Sequence, residues 1–287
     1  MSCDFGIAVA SLDNLIHRDD RVIPNLIRSQ VASVPPFDYF AHLQRDIQPF
    51  MRKIVTSWML EVCDEQKCEQ QVFPLAINYM DRFLCTMPIS REQLQLLGVA
   101  CLLLASKIRQ CYNLSVDLLC AYTDNAVTPD QVRTWELLIL SRLQWDIAGV
   151  TAYDFVEQSI QRLPWSKNNS TIRHHAHTLV SVCYTETFSM TCLPSLLAAA
   201  CVCAAAIGLK LVNNKSAIRD VCKLTETTPT EVEIMIQNIE IIIAKETEAF
   251  ISQQIAKNPE ITYSVVPVYE VSYIATQIPT GESSEVC

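Results

Sequence analysis

Glycine is scarce: 5 residues in 287. A loop that cradles nucleotide phosphates normally uses clustered glycines, so no such loop is expected. Basic residues are outnumbered, with 22 Lys and Arg against 31 Asp and Glu and a net charge of −9. Binding to nucleic acid or to an anionic membrane rests on a basic face, so neither partner is expected. The chain has no Gly-x-Ser-x-Gly, no phosphate loop, no His-Glu-x-x-His and no paired-acid motif. No catalytic residue, cofactor or metal is therefore assigned. Asp81-Arg82 and Asp64-Glu65 are the closest acidic groups, and capping or solvated roles suit them. Strand patterns are nearly missing before residue 260. The most apolar run, LPSLLAAACVCAAAIGL (193–209), contains Pro194 and Ser195. It is shorter than the roughly 20 apolar residues of a membrane span and reads as a helix inside a bundle. MSCDFGIAVASLD has neither a basic n-region nor a long apolar run, so no secretory signal is expected.

Cysteine, by contrast, is plentiful. There are 13, an odd number, with no Cys-x-x-Cys. Most sit in apolar helical stretches, as Cys101, Cys120, Cys201, Cys203 and Cys222 do. Reduced buried thiols in a protein of the cytoplasm and nucleus are the expectation. His174, His175 and His177 form the one histidine cluster. Without cysteine or carboxylate ligands nearby in sequence, a solvated helix face is expected there rather than a zinc site.

Half the residues are hydrophobic, and their order repeats. Displaced by 100 residues, LLGVACLLLA (96–105) lies over LLAAACVCAA (196–205), and TPDQV (128–132) over TPTEV (228–232). Each first block is a small-residue apolar helix. Each second block starts a helix, with Thr as N-cap, Pro in the first turn and an acidic residue after it. That capping role also outweighs reading Thr128 and Thr228 as kinase target sites. Between the blocks lie DLLCAYTD and IRDVCKLTE, another helix with a cysteine. An all-α chain of two helical domains of about 100 residues each follows. The domains are expected at 40–149 and 150–257. An N-terminal arm, 1–39, carries a helix within LDNLIHRDDRVIPNLIRSQVAS that VPP (34–36) ends. The tail 258–287 is expected to be disordered.

Two positions break the repeat. Lys107 lies over Ile207, and Glu136 over Ile236. Either charge alone reads as a solvated side chain; together, a cation and an anion beside apolar helices favour a polar clamp at the edge of an apolar interface. The stretch MRKIVTSWMLEVC (51–63) is unusual in another way. Met51, Ile54, Val55 and Trp58 share one face, while Met59, Leu60, Val62 and Cys63 extend apolar character to the other side. A helix apolar most of the way round is normally central to its domain.

MRKIVTSWMLEVC, FPLAINYMDRFL (73–84), LQLLGVACLLLASKI (94–108), LCAYTDNAVTP (119–129) and WELLILSRLQWDI (135–147) together resemble the cyclin box of D-type cyclins. The stretch HHAHTLVSVCYTETFSM (174–190) is similar, more loosely, to the second cyclin fold. The resemblance implies tandem five-helix cyclin folds and a non-catalytic subunit that activates a cyclin-dependent kinase of the D-cyclin class at G1/S. Retinoblastoma-type proteins would be substrates of the complex. It implies a kinase interface of Lys107, Ile108, Glu136, Leu140 and Trp145. It also implies a groove for Arg-x-Leu peptides of substrates and inhibitors, made of Met51, Ile54, Val55, Trp58, Leu94 and Gln95, with Glu61 to meet the peptide's cation. Arg52 would anchor its helix, with Asp81 as partner. The chain departs from the family in lacking a Leu-x-Cys-x-Glu motif near its N-terminus and a Thr-Pro signal in its tail; Ser57 stands where many other cyclins have Asp. The alternative is a cyclin-fold transcriptional regulator or a transcriptional cyclin; the acidic balance disfavours a DNA-binding one.

Overall fold

Twelve α-helices and two short 3-10 turns, with no strand, make up the described residues. The structure is a computed structural model describing residues 13, 15–16, 19–166 and 169–257. The tail 258–287, expected to be disordered, lies outside the described residues. Two helices come first, α1 (Val22–Ser33) and α2 (Tyr39–His42). The first set of five is α3 (Pro49–Glu65), α4 (Val72–Leu84), α5 (Leu94–Arg109), α6 (Val116–Ala121) and α7 (Pro129–Arg142). The second is α8 (Ala152–Arg162), α9 (Ser170–Thr185), α10 (Pro194–Gly208), α11 (Asn214–Thr225) and α12 (Pro229–Lys257).

Each set wraps around its third helix. α5 packs against α3, α4, α6 and α7, and α10 against α8, α9, α11 and α12. Both central helices are the apolar blocks of the repeat, and both are buried nearly throughout. A helix hydrophobic all round can only be satisfied this way. Gly98 on α5 allows α3 to come close. A Cβ there would lie 3.1 Å from Val55 Cγ1 and 3.2 Å from Met59 Sδ. The fourth connection ends in the same device twice. Thr128 caps α7 and Thr228 caps α12. Each hydroxyl accepts from the backbone three residues on, and Gln131 or Glu231 accepts from the threonine N–H in return.

A buried ion pair ties the two sets together. Arg52 on α3 is wholly buried and donates to both carboxylate oxygens of Asp81 on α4, at 2.8 and 2.7 Å. Its remaining nitrogen, Nη1, donates to the carbonyls of Tyr184, Thr185 and Glu186 at the end of α9. Burial alone would depress the guanidinium; the Asp81 charge and hydrogen bonds overcome it, and Arg52 is held above its ordinary value. Tyr39 completes the group by donating to Asp81 at 2.8 Å. Thr56 adds a bond to the Thr185 carbonyl, and Lys53 pairs with Glu186 and with Glu246 on α12.

The N-terminal helix belongs by packing to the second set. α1 lies against α8, α10 and α11. Gln30 accepts from Ser195 N–H at 2.9 Å, and Ser33 accepts from Val150 N–H at 2.8 Å. Val34 then turns to extended backbone and starts the link to the first set.

One expectation is corrected on α9. His174 is exposed, but His177 is 3 % exposed and does not share a solvated face. It shares the inward side with Ala176 and Val180, where Glu157 of α8 meets its Nε2 at 2.6 Å and Tyr153 stacks on its ring.

Candidate functional site

Two surfaces of the first set combine exposed apolar groups with fixed charge. The first is built by α5 and α7, which pack side by side. The last turn of α5 brings Lys107 beside Glu136, on the second turn of α7, and the two form an ion pair. Next to them in the chain are Ile108, 46 % exposed, and Leu137, 64 %, and just past the end of α7 is Trp145, 66 %. Large apolar groups clustered at this exposure mark an interaction surface more often than a solvated one.

Trp145 is exposed because of how α7 ends. Gln144 N–H bonds to the Ser141 carbonyl and Trp145 N–H to the Leu140 carbonyl, a Schellman closure. Gln144 and Trp145 both take positive φ, 54° and 61°. A bulky residue in that region costs about 1–2 kcal/mol, so the chain spends stability to present an indole to solvent. Leu140 is the closure's inner partner. It is 7 % exposed and part of the core, which corrects its expected place as an exposed contact: its side chain turns inward while its carbonyl holds the Trp145 N–H.

The second surface lies on α3. Arg52, Thr56, Met59, Val62 and Cys63 face the core. Ile54 is 62 % exposed, and Met51, Val55 and Trp58 are half-buried along the same outer side. Gln95 borders them, half-buried, from the first turn of α5. Leu94, expected in the groove, is 2 % exposed. The helix phase turns it inward into the core cluster, so it is not an exposed wall of that surface. Glu61 is exposed at the far end, with Asp64 one turn on. Partial burial, and then the neighbouring Glu61 charge, push the Asp64 carboxyl up from its usual value. Two carboxylates that repel each other favour a cation between them.

Sequence reasoning missed Phe50, 60 % exposed and one turn before Ile54, and Leu137 beside Glu136. The helical spacing of Phe50 to Ile54 was a usable signal. Leu137 carried none, since WELLIL offers four aliphatic candidates for one exposed place.

The comparisons with known proteins bear on the whole chain. Residues 21–148 match the family model for the cyclin N-terminal domain, and residues 150–261 match that for the cyclin C-terminal domain. The G1/S-specific cyclin-D2 of Gallus gallus is 40 % identical over 256 residues, covering 87 % of this chain and 88 % of that protein. The G1/S-specific cyclin-D1 of Xenopus laevis is 46 % identical over 212 residues, covering 73 % and 72 %.

The chain belongs to the D-type cyclins.

Among solved structures, the viral cyclin from herpesvirus saimiri aligns with a TM-score of 0.68 at 22 % identity, over 78 % of this cyclin and 97 % of the viral chain. That likeness supports the tandem fold. It places the two five-helix sets of this cyclin as its two cyclin domains, with α1 inside the region matched by the N-terminal model although it packs on the C-terminal one.

Proposed function

We propose that this D-type cyclin binds and activates a G1 cyclin-dependent serine/threonine kinase through the α5–α7 edge of its first repeat. The complex promotes G1/S progression by phosphorylating retinoblastoma-type pocket proteins. The outer face of α3 helps recruit substrates and inhibitors that carry Arg-x-Leu segments, with Glu61 and Asp64 near the peptide's cation. The cyclin supplies no catalytic group. It favours the active kinase by binding that conformer more tightly than the inactive one. Control of a kinase acts on its C-helix and activation loop, because these place its Lys–Glu pair and metal-binding Asp together.

One observation carries the reading. The first repeat presents an ion pair on the same two helices' edge as exposed Ile108 and Leu137, with exposed Trp145 just past α7, whereas Ile207 and Ile236 stand at the paired positions in the second. Because Lys107 and Glu136 bind each other, single reversals confound folding with docking. The exchange Lys107→Glu/Glu136→Lys separates them. Each single reversal should cost at most about 1 kcal/mol of stability, the usual worth of a partly exposed pair. It should cost about 2–5 kcal/mol in kinase binding, roughly 30- to 5,000-fold. The exchange should restore the melting temperature and leave kinase affinity low. Wild-type affinity in the exchanged protein would show the pair to be structural and would remove the kinase from this edge.

A further inference from the structure

The C-terminus of α3 closes as α7 does. Lys67 N–H bonds to the Asp64 carbonyl at 3.2 Å, Cys68 N–H bonds to the Cys63 carbonyl at 2.9 Å, and Lys67 takes a positive φ of 49°. This is a second Schellman closure, and such closures set the two residues joined by the longer bond side by side. On α7 those residues are Leu140 and Trp145. On α3 both are cysteines. The backbone bond between them keeps their Cα atoms close, and disulfides span Cα separations of about 4.4–6.8 Å. Both thiols are free.

We propose that Cys63 and Cys68 form a peroxide-sensitive dithiol: Cys68 is the thiolate that a hydroperoxide oxidises, and Cys63 is the thiol that resolves it to an intramolecular disulfide. The pair divides these roles by environment. Cys63 is 6 % exposed within the core face of α3, whereas Cys68 is half-buried in the loop beyond. A hydrogen bond from the Cys63 thiol lowers the Cys68 thiol below its ordinary value, against the effects of burial and Asp64 and with help from Gln110. The same bond, with burial, pushes Cys63 well up. Burial also raises Cys101 and Cys201 well above the ordinary value and Cys85 to about 11. A half-accessible thiol with a lowered pKa beside a resolving thiol is the arrangement of a redox-sensing cysteine.

The chemistry balances with a hydroperoxide as oxidant. The Cys68 sulfur attacks the peroxide's terminal oxygen, the O–O bond breaks, and the departing oxyanion takes up a proton to leave as alcohol or water. Cys68 becomes a sulfenic acid. The Cys63 sulfur then attacks that sulfur; the S–S bond forms, the S–O bond breaks, and the hydroxide leaves as water with the proton of Cys63. Two thiols together give up two electrons, and the peroxide takes them. A small thiol or dithiol reverses the step by exchange. The pair depends on one helix terminus and not on the kinase reading.

Trypsin makes the test direct, because Lys67 lies between the two cysteines and Lys53 and Arg82 bound them. The reduced full-length protein is treated with equimolar hydrogen peroxide, capped with N-ethylmaleimide, digested without reductant and analysed by mass spectrometry. Peptide 54–67 joined to peptide 68–82 is expected, and dithiothreitol should dissolve the link. In Cys63→Ala, dimedone should trap a sulfenic acid on Cys68 with no linked pair. Without peroxide, Cys68 should alkylate faster than Cys85 at neutral pH, since the bond from Cys63 holds its thiol below the ordinary value while burial pushes Cys85 up. Cys68 recovered capped while exposed Cys111 is oxidised would overturn the proposal. So would a disulfide from Cys68 to any cysteine but Cys63, or equal alkylation of Cys68 and Cys85. The wild-type protein suffices for each of those outcomes, so a variant that failed to fold would not shield the idea.

Discussion

The two repeats share a core plan and differ in what they leave open. In the first, the outer face of α3 carries Ile54, 62 % exposed, with Val55 and Trp58 half-buried beside it. In the second, the same offsets on α8 hold Asp154, Phe155 and Gln158; Phe155 is 0 % exposed and Gln158 7 %. α1 packs on α8, and Asp154 faces Arg109 from the end of α5 at 3.9 Å. The edge shows the same contrast, with Lys107 and Glu136 replaced by Ile207 and Ile236. One repeat thus uses its equivalent surfaces to hold the molecule together, and the other leaves them open. Duplication supplies two copies of each surface, and the intramolecular contacts determine which copy stays free.

The largest expected effect breaks the tie between the repeats. Arg52 has Ala152 as its counterpart, so the second repeat returns no equivalent bond. Arg52→Met strands Asp81 and frees three carbonyls at the end of α9. Losing one partner of a buried pair typically costs about 3–5 kcal/mol. Urea denaturation should show that loss, and the transition should divide, because Arg52 joins both repeats. Adding Asp81→Leu should recover part of the loss by removing the stranded carboxylate, but not the part due to the α9 carbonyls. A loss under about 1 kcal/mol with one undivided transition would refute the seam.

The next effect sharpens the contrast between α3 and α8. Trp58→Ala should weaken binding of an Arg-x-Leu peptide by about 2 kcal/mol, as truncating a large anchor commonly does. Kinase binding should be unchanged, since Trp58 lies on α3 and not on the α5–α7 edge. Isothermal titration with peptide and kinase in turn checks both. A mutant that melts far below wild type and loses both partners would place Trp58 in the core.

The repeat, its helices and the Thr caps were legible because they rest on local spacing and a fixed offset. The Arg52–Asp81 pair was legible through resemblance, but its reach to residues 184–186 was not. Those carbonyls are more than 130 positions away, and no periodicity links a cation to backbone at that range. The inward turn of Leu94 and Leu140 and the burial of His177 were missed for a related reason. Each lies near the boundary between two helix faces, and the neighbour that packs there decides the side. The packing of α1 on the second repeat left no local mark, since Gln30 and Ser33 look like ordinary surface residues until Ser195 and Val150 are placed beside them. On the candidate surfaces, residue types were readable, but exposure depended on the helix endings, where Lys67 and Gln144 take left-handed backbone without a glycine to announce it.

The smallest effect tests how alike the repeats remain. Thr128 and Thr228 occupy the same position, and both close a reciprocal box at the start of the last helix of their repeat. Replacing an N-cap threonine by alanine costs about 1 kcal/mol. Thr128→Ala and Thr228→Ala should each lower stability by about that much, and the double variant should show the sum, since the sites lie in separate repeats. They should differ in their response to salt. The box partner is neutral Gln131 in the first repeat and Glu231 in the second. A carboxylate in the first helical turn also interacts with the helix dipole, and salt screens that part. Thr228→Ala removes the hydroxyl that also donates to the Glu231 carboxylate and loosens its place at the terminus, so its cost should shrink in high salt while that of Thr128→Ala stays constant. Thermal melts at low and high ionic strength read both. Equal salt dependence in the two variants would show that the caps work by hydrogen bonding alone, and that the exchange of Gln for Glu between the repeats is energetically silent.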